Sequence, residues 1–333
     1  METTLFSKQT TRREMLRAGA GVAGAGVLAG LFPASLLAGA RASELQQPST
    51  SAERIAQMKA QAGTTPLVTS KLRENIYLLS GPGGNMVVLN GADGKILVDS
   101  SFSNVAPKIK SAMDGMGGSP LKMLINTHWH VDHTDGNEAM HQAGAVILAH
   151  ENTRKRLSTP QDMTAVGLHF DAAPADAWPQ QTFTDGTKLY FDGEELTLAH
   201  FPAAHTDSDI YVRYEKGNVL HMGDVWFSGS YPFFDPSTGG NIDGMIAGAA
   251  QGIALADADT KIVPGHGSVG DKVGLGKSHD MMVTVRDRVQ KLKASGKTLQ
   301  ETVAAKPTAD LDATWAKGII TGDFMTTLVY STL

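Results

Sequence analysis

The chain contains no cysteine in its 333 residues. That rules out disulfides, thiol nucleophiles and zinc–thiolate sites, and it leaves cysteine usage silent about redox compartment. Aromatic residues are scarce, at 6%. Positive charge is also in short supply: 29 Lys and Arg face 34 Asp and Glu, a formal net charge of −5. Nothing in that balance favours a nucleic-acid partner. What is abundant is apolar residues, at 41%, and glycine, at 36 residues, enough for a sizeable core with many tight turns.

The first segment reads as an address. Thr10-Thr11-Arg12-Arg13-Glu14-Met15-Leu16-Arg17 has a twin-arginine pattern, and a mildly apolar Gly/Ala-rich run follows from Ala18 to Leu37. Ala38-Gly39-Ala40 and Ala40-Arg41-Ala42 offer small-x-small cleavage positions. Residues 1–42 are therefore expected to be a Tat signal peptide. The Tat export machinery would be a partner, the location periplasmic or otherwise exported, and no stable membrane insertion would follow cleavage. Removing those residues takes away more basic than acidic groups and leaves a more acidic chain. Residues 43–66 read as a tether with a possible surface helix at Ser51–Ala60, and residues 67–333 as the folded domain with C-terminal helices.

From Leu67 the pattern turns to strands. Asn75–Ser80, Asn85–Asn90 and Lys95–Asp99 are short, apolar and separated by Gly-rich turns. Ala106–Met113 reads as helix, Leu121–Thr127 as strand, Asp135–Ala143 as helix and Ala145–Ala149 as strand. Arg154–Gln180 has the length of a loop that could cover a site. Thr187–Phe191, Leu196–Ala199, Ile210–Tyr214, Val219–Met222 and Lys261–Val263 are strand-like. Helices are expected at Met245–Leu255, His279–Lys293 and Leu299–Ala305. Each half repeats one scheme: a strand ending in Asp, then a helix, then a strand ending in His. Two β-rich halves with helices suggest sheet packed on sheet, with helices outside.

Thr127-His128-Trp129-His130-Val131-Asp132-His133 carries the chemistry. Strand periodicity over this stretch would put His128 and His130 on one face, able to reach one metal ion. Asp132 and His133 follow where the chain turns and can face a second ion, while Trp129 should point into the core. Three more residues at strand ends complete the set: His205 in Pro202-Ala203-Ala204-His205, Asp224 in Met222-Gly223-Asp224 and His266 in Pro264-Gly265-His266-Gly267. Histidine and carboxylate without thiolate suit zinc, with iron or manganese as alternatives.

The His-x-His-x-Asp-His run, a distant His, a Gly-Asp and a Pro-Gly-His-Gly together resemble the metallo-β-lactamase superfamily, within it the broad lactonase and glyoxalase II-like group. The resemblance implies a four-layer αββα sandwich with a dinuclear metal centre at one sheet edge. His128, His130 and His205 would hold one Zn2+; Asp132, His133 and His266 the other; Asp224 would bridge them. Asp99 would hydrogen-bond a ligand histidine and fix its tautomer. Asp132 would also orient the nucleophile and pass a proton to the leaving group. The activity implied is hydrolysis of a small acyl substrate (lactone, ester, thioester or β-lactam) by metal-bound hydroxide. The bridging Asp224 and the missing cysteine depart from two classes of true β-lactamases and favour the broader group. A mononuclear iron persulfide dioxygenase and a non-catalytic periplasmic metal-binding module are the rival readings. Outside the motif, His169, Trp226 and Tyr231 are possible pocket residues.

Overall fold

The computed structural model describes residues 50–333. The twin-arginine segment, its cleavage positions and the start of the tether lie outside the described residues. The first described element is α1 (Ser51–Thr64), opened by a capping box in which Thr50 and Glu53 satisfy each other's backbone donors. It runs four residues beyond the expected Ala60, and it is not merely a surface helix. Met58 and Ala62, one turn apart, are buried and fix it to the domain.

The first sheet starts as a meander of β1 (Val68–Lys71), β2 (Ile76–Ser80), β3 (Met86–Asn90) and β4 (Lys95–Val98). It continues in parallel through β5 (Leu121–Ile125) and β6 (Val146–His150), by way of α2 (Ala106–Gly115), α3 (Val131–Thr134) and α4 (Asn137–Gln142). After α5 (Glu151–Leu157), β7 (Gln161–Met163) and β8 (Leu168–Phe170) form a separate hairpin, and β9 (Gln181–Phe183) then closes the sheet beside β6. The second sheet runs β10 (Gly186–Phe191), β11 (Glu194–His200), β12 (Ile210–Tyr214), β13 (Val219–His221) and β14 (Lys261–Val263), antiparallel except for the last pair. Helices α6 (Ile242–Leu255), α7 (Lys272–Ala294), α8 (Leu299–Ala304), α9 (Asp312–Trp315) and α10 (Gly322–Thr332) complete the chain. Among the described residues no helix is long and apolar enough to cross a membrane.

Period-two alternation builds the layers. Ile76, Val87, Leu89, Ile96 and Val98 of the first sheet meet Leu196, Leu198, Val212 and Val219 of the second in one apolar cluster between the sheets. The alternate residues face outward: Leu79, Val88 and Leu97 pack with Ile109 of α2, while Leu220 and Ile262 pack with Met245 of α6 and Leu275 of α7. The result is the expected αββα sandwich. The helix expected at Asp135–Ala143 starts later, at Asn137 as α4: the Gly136 N–H bonds to the Ser101 carbonyl instead of joining α3 to it, and a Cβ at Gly136 would lie 2.2 Å from the carbonyl oxygen of Ser100.

Leu198 is fully buried between the sheets. Leu198→Ala should lower unfolding free energy by about 2–5 kcal/mol, whereas Thr69→Ala on the exposed β1 should change it by less than about 0.5 kcal/mol. Chemical denaturation of both variants checks this.

Candidate metal centre

Strand direction gathers the site. β4 and β5 are parallel, as are β13 and β14, and β11 runs the same way as β13 because β12 is antiparallel to both. Asp99 follows β4, the 128–133 stretch follows β5, His205 follows β11, Asp224 follows β13 and His266 follows β14. All of them therefore emerge at one edge of the sandwich. Backbone bonds tie the two sheets there: Ile210 N to Thr127 O at 2.8 Å, and Asn85 N to Gly265 O at 2.7 Å. One expectation is corrected: β5 ends at Ile125, so His128 and His130 stand in the loop before α3 and are not on a strand face. Loop hydrogen bonds, not pleat periodicity, bring them together.

The donors fall into two groups. His128, His130, His205 and Asp224 offer atoms within 4.8 Å of one another, and so do Asp132, His133 and His266. Asp224 reaches both: its Oδ2 lies 3.9 Å from His128 Nε2, 3.4 Å from His205 Nε2 and 3.2 Å from His266 Nε2, and its Oδ1 lies 3.1 Å from His133 Nε2. His130 Nδ1 is 2.8 Å from His205 Nε2, and Asp132 Oδ2 is 3.3 Å from His266 Nε2. His128 Nε2 and Asp224 Oδ1 are buried without a hydrogen-bond partner. Such orphaned polar atoms within a cluster of donors are what a bound cation would satisfy.

Bonds behind the imidazoles set their tautomers. Thr127 Oγ1 donates to Asp99 Oδ2 at 2.7 Å, leaving its lone pair to accept from His128 Nδ1 at 3.0 Å. His133 Nδ1 donates to Asp99 Oδ2 at 2.7 Å, and His205 Nδ1 donates to the Phe233 carbonyl at 2.8 Å. Each ring therefore points its Nε2 inward. Asp99 adopts a left-handed φ of 63°, a conformation aspartate tolerates better than most residues. Glycines make room beside the donors: a Cβ at Gly265 would stand 1.8 Å from Asp224 Oδ1, and one at Gly84 would stand 2.0 Å from the His133 ring.

The sequence profile of the metallo-beta-lactamase superfamily matches residues 79–270, more than half of the chain. The chain belongs to the metallo-beta-lactamase superfamily. A probable metallo-hydrolase of Methanocaldococcus jannaschii is 26% identical over 183 residues, 54% of this chain and 85% of that protein. A hydroxyacylglutathione hydrolase of Nitrosococcus oceani is 28% identical over 160 residues, 47% of this chain and 52% of that enzyme; the chain thus spans about half of its length. A stereoselective inverting sec-alkylsulfatase of Pseudomonas sp. superposes with a TM-score of 0.63 at 16% identity, covering 90% of this chain and 54% of that one. A metallo-beta-lactamase from Pontibacter korlensis gives 0.55 at 16% identity, covering 66% and 99%. At these identities the structural likeness carries the fold alone. The family, its relatives named as hydrolases and the donor set make this a metal-dependent hydrolase and imply a divalent metal.

Within the metallo-beta-lactamase fold, the residues expected at the pocket sort unevenly. Trp226 does not form a wall: it is buried under α7, its indole donating to Ser278. Tyr231 is likewise buried, donating its hydroxyl to Asp312. His169 lies on the outer rim, hydrogen-bonded to Asp162, and lines a separate groove. Trp129 turns into the core as expected. Phe227 and Phe233, from the same aromatic segment, take the wall position; Phe227 stacks on His266 at 5.0 Å. The sequence reading missed Asp235, fully buried with Oδ2 3.6 Å from His130 Nε2. Its one sequence signal is an Asp-Pro turn start after an aromatic run.

Burial and neighbouring charge divide the histidines. Burial, with His133 beside it, pushes His128 well below the usual range, and burial takes His205 down to about 4 against the pull of Asp224. His133 and His266 feel the same burial, but the carboxylates outweigh it. Asp224, Asp132 and Asp99 hold His133 well above its ordinary value, and Asp224 with the Asp132 hydrogen bond raises His266 to about 9. Asp224 stays well below the carboxylate range because four histidines outweigh its burial. Without metal, His133 and His266 hold protons at neutral pH that a cation must displace. Zinc titrated into metal-free protein should therefore release protons, and apparent affinity should climb across the window from pH 6.5 to the His266 value of about 9. Calorimetry in buffers of differing ionisation enthalpy measures this; affinity flat across that window would contradict it.

Proposed function

We propose that the chain is an exported, dinuclear zinc hydrolase acting on a small acyl substrate: a lactone, ester, thioester or β-lactam. The observation that carries the reading is the division of seven donors into two groups with Asp224 in reach of both. The all-nitrogen-and-oxygen donor set suits zinc, and equally iron or manganese. Bound zinc would lower the pKa of a held water from ~15.7 to about 7 and polarise the scissile carbonyl. Asp132 lines the cavity and is hydrogen-bonded to His266, which leaves its carboxylate placed to orient a water, take its proton and deliver it to the leaving group. Asp99, Thr127 and the Phe233 carbonyl turn the Nε2 atoms inward, and the apolar side chains over the cavity, Met58, Met163, Leu168 and Ile319, exclude bulk water. Export, a periplasmic location and passage through the Tat machinery rest on the twin-arginine segment.

Asp132→Ala should reduce turnover of chromogenic lactones, esters or thioesters by about 10²–10⁴-fold while near-UV circular dichroism stays native. The panel is run against metal-free controls. Undiminished turnover by the variant would overturn the role of Asp132, and no hydrolysis by the native protein would overturn the hydrolase reading.

A further inference from the structure

The cavity over the candidate metal centre is about 30 Å³, room for about one water and the reacting group. Five candidate ligands form its polar side: His130, Asp132, His205, Asp224 and His266. Every other side chain lining it is apolar, with Met58 from α1, Met163 and Leu168 from the β7–β8 hairpin, and Ile319 from the C-terminal segment forming the roof. Among the described residues no Lys or Arg, and no hydrogen-bonding side chain other than those five, lines it. Val131 and Phe170 complete the wall, and both also line a neighbouring groove of about 650 Å³ between α1 and the hairpin. Ile55, Ala56, Leu157 and Pro174 give that groove an apolar bed. Of the charged side chains lining it, Lys59 pairs with Asp135 at 2.8 Å and Arg156 with Asp207 at 2.6 Å, while Glu138 and Asp171 add negative charge.

We propose that the non-reacting part of the substrate is an uncharged apolar chain, and that Phe170 and Val131 determine how much of it the site accepts. The proposal deepens the acyl-hydrolase reading and rests on it for the reacting group. A carboxylate tail in this cavity would lose its hydration, find no Lys or Arg among the described lining residues and stand beside Asp132 and Asp224 of like sign. An apolar tail gains by burial, first against the roof and then past Phe170 into the groove, whose volume is in the range of small-molecule sites. Phe170 is only partly buried, so its side chain can be exchanged without emptying a core position.

Binding of uncharged n-alkyl amides of increasing length to the purified protein, measured by calorimetry, tests this without requiring turnover. Affinity should rise about fourfold per methylene to a plateau. Phe170→Ala should move the plateau to longer chains and Phe170→Trp to shorter ones. Analogues with a terminal carboxylate should bind at least about tenfold more weakly. Length-independent affinity, a plateau unmoved in both variants, or carboxylate analogues binding as well as neutral ones would overturn the proposal. The corresponding esters are assayed in parallel. Binding that follows the pattern without hydrolysis supports the pocket inference and counts against the hydrolase reading, so the two fail separately.

Discussion

The site depends on one buried carboxylate. Asp99, at the end of β4 in a left-handed conformation, accepts from the Thr127 backbone, the Thr127 hydroxyl and His133 Nδ1. It therefore fixes both ends of the loop that carries His128, His130 and Asp132. Thr127 passes the constraint to His128, and the Thr127 carbonyl accepts from Ile210, which locks the first sheet to the second. An unpaired buried carboxylate would be costly. Here three donors satisfy it, and the same bonds decide which imidazole nitrogens face inward.

Around that anchor the packing is unforgiving. Gly84 and Gly265 admit no side chain without collision with His133 or Asp224. The donor atoms accordingly meet at distances set by backbone, with little freedom for side chains to drift. The electrostatic pattern follows from this crowding. Carboxylates sit among His133 and His266, which favour the proton when no cation is present, while His128 and His205 are pushed toward neutrality. A cation binding here would replace protons in the second group and find bare lone pairs in the first.

Much of this was legible in the sequence because short-range patterns specify it. Unbroken apolar runs such as Met86-Val87-Val88-Leu89 mark strands covered on both faces, and the strand-end positions of Asp99, Asp224 and His266 announce a common edge. The grouping of the seven donors matches what family resemblance implies. What was not legible depends on long-range packing. The loop geometry of His128 and His130, the pairing of Asp235 with His130, and the exchange of Trp226 and Tyr231 for Phe227 and Phe233 at the wall have no local periodicity. Nor did the polar sequence around Met58 reveal that α1 would roof the cavity; only the hairpin opposite it makes that helix face apolar ground.

Metal analysis of the purified protein, paired with the same measurement on Asp224→Ala, tests the central claim most directly. The account predicts two zinc ions per chain in the native protein and fewer in the variant, since Asp224 reaches histidines of both groups. One iron per chain with thiol-dependent oxygen uptake, or a metal content unaffected by loss of Asp224, would contradict it.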